Sequence, residues 1–236
     1  MQVLVTADYR AMSLQAAQIV ADAVRLKPDA VLCLPTGNTP LGMYAELVRR
    51  HREEGLDFSR VRTFNLDEYI GLGPDHRGSY HVYMRRHFFD HVNVAEENFH
   101  IPNDTESEGY ERAIHEAGGL DLLIVGIGAN GHIAFNEPGS SFESRTRVVT
   151  LAPETLANAR RHFDNDADVP GTAVTVGIRT ILDARQVLLL ASGSDKAGVV
   201  ERAIRGPVSE SLPASALLLH ANVLAILDQA AAEFIR

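Results

Sequence analysis

The sequence contains no tryptophan and one cysteine, and 6% of its 236 residues are aromatic. A single cysteine cannot close a disulfide within the chain, which excludes a disulfide-stapled scaffold and fits a reducing compartment. Cys33 sits in the apolar run Val31-Leu32-Cys33-Leu34 and reads as a buried core thiol rather than a nucleophile. No stretch reaches the ~18 consecutive apolar residues that a membrane span needs. The opening MQVLVTADYR lacks a basic region followed by a long apolar segment, so no leader is expected. These absences together point to a cytoplasmic protein. Positive charge is also scarce: 22 Lys and Arg stand against 31 Asp and Glu, a formal net charge of −9. That balance argues against nucleic acid as a partner. An anionic ligand would have to be held by donors gathered locally. No internal repeat or low-complexity tract is visible.

What is present is a patterned globular sequence, 45% hydrophobic and 22% charged. The length suits one α/β domain over residues 1–236, able to bury roughly 70% of its unfolded surface. Short apolar runs at residues 3–6, 30–34, 61–65, 120–125, 173–176, 187–191 and 223–227 read as strands. Between them lie helical stripes: Ala16, Ile19, Val20, Ala23 and Val24; Leu41, Tyr44, Ala45 and Val48; Tyr110, Ala113, Ile114 and Ala117. The runs from Ala30, Leu120 and Val187 are continuously apolar, as in strands buried on both faces. The expected fold is a doubly wound, Rossmann-like α/β domain, with a mostly parallel sheet and helices on both faces.

Ligands of such folds bind beyond the carboxyl ends of the strands, so the loops after the strands carry the functional reading. The first, Pro35-Thr36-Gly37-Asn38-Thr39-Pro40, places Thr39 as a helix N-cap and Pro40 at the first helical position. It is either an anion cradle at a helix N-terminus or an ordinary cap. It lacks the Gly-Lys-Ser/Thr ending of a Walker loop. The second, Leu66-Asp67-Glu68-Tyr69, carries adjacent acids facing different ways: a general base beside a structural acceptor, or a helix-capping pair. The third runs from Gly126 through Gly128, Asn130, Gly131 and His132 to Asn136-Glu137-Pro138. Its Gly-x-Gly-x-x-Gly resembles a dinucleotide fingerprint, but Pro138 arrives too soon for the long helix that fingerprint opens. His132 with Glu137 reads as a base and its orienting partner, or as a structural histidine. The fourth, Ser192-Gly193-Ser194-Asp195-Lys196, brings a lysine to a helix start, where it opposes the dipole unless it meets an anion. Residues 136–147 are weakly patterned and read as a flap over the site or as a surface excursion.

Taken together the loops resemble the glucosamine-6-phosphate deaminase (isomerase) family. The matching stretches are LPTGNTPLGMY, TFNLDEYIGL, SYHVYMRRHFFDHV, GIGANGHIAFNEPGSS, SRTRVVTL, ANARRHFD, AVTVGI and SGSDKA, in family order from Leu34 to Ala197. The resemblance implies deamination of glucosamine 6-phosphate to fructose 6-phosphate and ammonia, with no metal or organic cofactor. It implies Asp67 as the base between C1 and C2, His132 as the ring-opening group with Glu137 as its orienter, and Glu68 as support. Thr36, Gly37, Asn38 and Thr39 match the phosphate loop, Arg160 and Lys196 its cationic partners, and Gly131, with Glu68, counts among the substrate-binding residues. Asn130 stands in the catalytic loop where some members carry aspartate, which excludes a carboxylate role there. Asn38 replaces a glycine found in many members. Longer, hexameric members respond to N-acetylglucosamine 6-phosphate. Arg147 matches one of their effector contacts, but Val149 replaces a basic residue, so weak or absent activation and a monomer or small homo-oligomer are expected. Other readings are a non-catalytic sugar-phosphate sensor, a nicotinamide dehydrogenase, or an enzyme acting on another sugar phosphate. With the first strand starting near residue 3, no DNA-binding segment is expected before it.

Overall fold

A computed structural model describes residues 1–103, 107–160, 163 and 169–235. In chain order the elements are β1 (Gln2–Thr6), α1 (Tyr9–Leu26), β2 (Val31–Leu34), α2 (Leu41–Glu54), β3 (Arg62–Asn65), β4 (Asp67–Tyr69), α3 (Tyr80–His87), β5 (Phe99–His100), α4 (Ser107–Glu116), β6 (Leu122–Gly126), β7 (Arg147–Thr150), α5 (Pro153–Ala159), β8 (Thr172–Thr175), α6 (Ile178–Leu182), β9 (Val187–Ala191), α7 (Ala197–Arg205) and β10 (Val223–Asp228). Seven strands form one parallel sheet in the order β1-β10-β9-β6-β2-β3-β5.

The continuously apolar runs explain why this sheet is covered on both sides, because alternate residues of a strand point to opposite faces. Val31, Cys33, Leu123, Val125, Val187 and Leu189 enter one core, with Tyr110 and Ile114 of α4 and Val199 and Val200 of α7. Leu32, Leu34, Leu122, Ile124, Leu188 and Leu190 enter the other, with Met12, Ala16 and Val20 of α1 and Tyr44 and Leu47 of α2. This is the doubly wound arrangement expected. Cys33 is fully buried, and burial pushes its thiol well above the ordinary range.

Three expectations need correction. The run at 173–176 is a strand (β8), but it leaves the parallel sheet and pairs antiparallel with β4 and β7 in a second, three-stranded sheet. The stripe of α2 is rotated: Met43, Tyr44, Leu47 and Val48 are buried and Ala45 is exposed. Its first turn is capped by Pro40 without a side-chain bond, so Thr39 is not the N-cap.

The small sheet bridges the two loops that carry the acids and the histidine. Its own apolar cluster joins Tyr69 of β4, Phe135, Leu151, Ala159 of α5 and Ala173 of β8. Glu68 opposes Val174 and Asp67 opposes Thr175, whose hydroxyl accepts from Phe135 N. One β8 residue thereby ties the acid strand to the histidine loop.

Candidate active site

A pocket of about 280 Å³ opens beyond the carboxyl ends of β2, β6 and β9. Thr36, Gly37, Asn38 and Thr39 line it, as do Asp67, His132 and Lys196. Glu68, Asn130, Gly131, Glu137 and Arg160 do not reach its wall. Glu137, Asn130 and Gly131 adjoin His132, and Glu68 follows Asp67. Arg160 caps the end of α5 next to the wall residue Ala159, with an exposed side chain. Residues 161, 162 and 164 of the ANARRHFD stretch lie outside the described residues.

Asp67 is 6% exposed, and among the described residues no group donates a hydrogen bond to its carboxylate. Burial and the negative Glu68 push it up to about 8. Glu68 is equally shielded but accepts from the backbone N–H groups of Tyr69 at 2.8 Å, Tyr80 at 3.0 Å and His81 at 3.0 Å. Two of those donors open α3, so Glu68 also meets the positive end of that helix. Burial still raises it, with the three N–H groups opposing.

His132 is fixed by its loop. Its N–H donates to Asn130 Oδ1 at 3.1 Å, and its carbonyl accepts from Gly128 N at 2.9 Å. A Cβ at Gly128 would fall 2.2 Å from the imidazole, so only glycine fits there. Nδ1 of His132 lies 3.5 Å from Glu137 Oε2 and has no well-formed hydrogen bond. Glu137 is otherwise engaged: Oε2 accepts from Asn130 Nδ2 at 2.8 Å, and Oε1 accepts from the Thr155 hydroxyl. Burial works against its charge, but His132, Thr155 and Asn130 outweigh it and hold Glu137 at about 2. A charged carboxylate behind a histidine stabilises the imidazolium that forms when the ring takes a proton. Between them Ala134 adopts φ 51, a left-handed conformation that costs about 1–3 kcal/mol in a non-glycine residue. The buried Asn136 secures the turn, donating to Ile133 O and Val176 O and accepting from Arg147.

The loop after β2 separates its donors from its acceptors. Among the described residues, none of the N–H groups of Thr36, Gly37, Asn38 or Thr39 donates to another protein group. A run of free amides of this kind forms an anion-binding concavity. Opposite it, Lys196 closes a short 3₁₀ turn just before α7, with Nζ 3.8 Å from Asp195 Oδ2. Asp228 anchors this loop by accepting from Ser192 Oγ and Gly193 N.

Of the two readings of the stretch 136–147, its position fits the surface excursion better than the flap. It borders a neighbouring pocket with Ser140, Ser141, Ser144 and Arg147 rather than the one holding Asp67, and Gly139 N and Phe142 N bind Glu210. Sequence reasoning missed Thr155 and the aromatic wall of Tyr69, Tyr80 and Phe135. Thr155 stands two residues after Pro153, a helix-start signal that says nothing of Glu137.

The fold and the site define a doubly wound α/β protein whose pocket gathers Asp67, His132, Lys196 and the loop of residues 36–39. Residues 6–226 match the model of the family described as glucosamine-6-phosphate isomerases/6-phosphogluconolactonase, and the chain belongs to that family. The glucosamine-6-phosphate deaminase of Thermoanaerobacter pseudethanolicus is 47% identical over 241 residues, covering 100% of this chain and 95% of that one. That of Bacillus velezensis is 48% identical over 238 residues, covering 98% and 99%. A solved structure described as a monomeric glucosamine-6-phosphate deaminase matches with a TM-score of 0.96 at 46% identity, covering 99% of both chains. The 6-phosphogluconolactonase of Trypanosoma cruzi, at 20% identity and a TM-score of 0.79, shares the fold.

Proposed function

We propose that this chain is a glucosamine-6-phosphate deaminase: it converts D-glucosamine 6-phosphate and water to D-fructose 6-phosphate and ammonia. The observation that carries the reading is Asp67, a buried carboxylate with no hydrogen-bond donor among the described residues, lining the same pocket as His132. Such an acid is a stronger base than one in water and is suited to removing a carbon-bound proton.

In this reading His132, backed by Glu137, takes the proton of the anomeric hydroxyl and returns one to the ring oxygen, opening the pyranose. Asp67 removes the proton from C2 of the open aldose as O1 gains a proton, giving the enolamine; Asp67 returns its proton to C1 and the nitrogen gives up one, which leaves the C2 imine of fructose 6-phosphate. Water adds at C2 and ammonia leaves. The phosphate rests on the amides of residues 36–39 with Lys196 and Arg160, so its binding energy holds the reacting carbons in register. Glu68 and Asn130 position their neighbours, and Gly131 lets the loop turn. No metal or organic cofactor takes part, and no group of three or more His, Cys, Asp or Glu side chains suited to a metal occurs among the described residues.

The protein acts in the cytoplasm as a monomer or small homo-oligomer, without nucleic-acid or membrane partners. Among the described residues no helix is long and apolar enough to cross a membrane. The test is release of ammonia and fructose 6-phosphate from glucosamine 6-phosphate with a chelator present. Equal yields of both are expected. A folded protein that gives neither would instead support the sensor reading.

A further inference from the structure

Three carbonyl groups of the loop after β2 accept from three tyrosines on three helices. Tyr44 of α2 donates to Pro35 O at 2.6 Å, Tyr83 of α3 to Gly37 O at 2.5 Å, and Tyr9 of α1 to Asn38 O at 3.2 Å. Tyr9 also accepts from Gly42 N at 2.8 Å, so one hydroxyl joins the loop to the first turn of α2. The loop is thus polarised: the carbonyls of Pro35, Gly37 and Asn38 are held by phenols, while the four amides of residues 36–39 have no protein partner among the described residues. This division matters for an anion. A carbonyl oxygen turned toward a phosphate repels it, and a peptide flip exchanges a donor for an acceptor at the same place. Gly37, at φ 96, has no steric bar to such a flip.

We infer that Tyr83 and Tyr9 are positioning residues for phosphate: their hydroxyls hold the Gly37 and Asn38 carbonyls, which fixes the two peptides whose N–H groups, those of Asn38 and Thr39, face the anion. Tyr44 does the same at Pro35, but its fully buried ring also fills the core, so its loss would disturb packing as well. This rests on the reading of the loop as a phosphate site and adds the groups that set its polarity. Neither tyrosine touches the reacting carbons. Their loss acts on affinity and leaves the chemical step alone.

The test uses Tyr83→Phe, Tyr9→Phe and the double variant of the full chain, each lacking only hydroxyl oxygens. Titration with inorganic phosphate, followed by amide NMR, should shift the resonances of residues 36–39 in the parent protein. The phosphate dissociation constant should rise about three- to tenfold in Tyr83→Phe, the equivalent of one lost hydrogen bond, and further in the double variant. KM for glucosamine 6-phosphate should rise in parallel, with kcat within about twofold and thermal midpoints near that of the parent. Unchanged phosphate affinity in the double variant would overturn the inference, as would a fall in kcat at constant KM or loop amides that ignore phosphate. The phosphate titration needs no turnover. A loss of phosphate affinity in the variants of a protein that releases no ammonia would uphold the clamp and refute the deaminase reading.

Discussion

Asp67 and Glu68 are consecutive residues of β4 with opposite surroundings: three backbone N–H groups converge on Glu68, whereas Asp67 faces the pocket with no donor among the described residues. Successive side chains of a strand point to opposite faces, so two identical functional groups acquire different tasks from their positions alone. Glu68 holds the start of α3 against the small sheet. Asp67 is left desolvated.

The first prediction concerns acidity. With Asp67 at about 8 in the ligand-free protein, its basic form gains population as pH rises. The value of kcat/KM, which reports the free enzyme, should therefore climb with pH through about 8. A profile of kcat/KM against pH checks this, and an acid limb centred near the ordinary 3.8 of an aspartate would contradict it.

Replacing Asp67 separates function from stability. Asp67→Asn should bind fructose 6-phosphate but lose turnover by about 10²-fold or more, the usual worth of a placed general base. The folded carboxyl is pushed up from 3.8 to about 8. Between those values the folded protein keeps a proton that the unfolded chain releases, so stability falls as pH rises and the penalty is complete above about 8. The variant, which has no charge to bury, should melt higher than the parent at pH 9, with the gap closing toward pH 4. Thermal melts across that range test the sign.

Thr155 should act on kcat. Its hydroxyl occupies Glu137 Oε1, leaving Oε2 turned to His132. Thr155→Val leaves a half-buried carboxylate short of a donor, a loss of about 1–3 kcal/mol. It should lower kcat by roughly tenfold, with KM little changed. Thr155→Ser should recover most of the rate. Steady-state kinetics of the two variants decide the matter, since equal loss in both would make the residue one of packing.

Lys196 should read the phosphate. Lys196→Ala should raise KM for glucosamine 6-phosphate by about tenfold or more, the range for a hydrogen bond to a charged group. Turnover of unphosphorylated glucosamine should change far less. Parallel losses for both sugars would remove Lys196 from the anion site.

N-acetylglucosamine 6-phosphate should leave the rate at low substrate unchanged. Arg147 is already committed to Asn136 Oδ1 at 2.9 Å and Ser140 Oγ at 3.2 Å, and Val149 nearby brings no charge. Initial rates with and without the compound are the check, and a clear increase would contradict the expectation.

The fold was legible wherever burial on both faces left an unbroken apolar run, as at Val31–Leu34 and Val187–Ala191. It was hidden where pairing carries no hydrophobic signal. β4 is Asp-Glu-Tyr and β5 only two residues, and each is a strand because of its partner. Periodicity also misplaced the α2 stripe, since Ala45 fits the spacing yet faces out while Leu47 packs inward. In the site, loop order alone brought Asp67, His132 and Lys196 to one pocket. The roles of Thr155, Tyr9 and Tyr83 were not readable, because each reaches a partner 18, 29 or 46 residues away, which only the folded chain brings near.

The central claim is that a proton leaves C2 before ammonia does. Glucosamine 6-phosphate bearing deuterium at C2 tests it directly. Equal amounts of ammonia and fructose 6-phosphate are expected, with the deuterium lost from C2 to C1 or to solvent, and neither event in Asp67→Asn. Ammonia released with an aldose 6-phosphate that still carries deuterium at C2 would show direct displacement of nitrogen and contradict it.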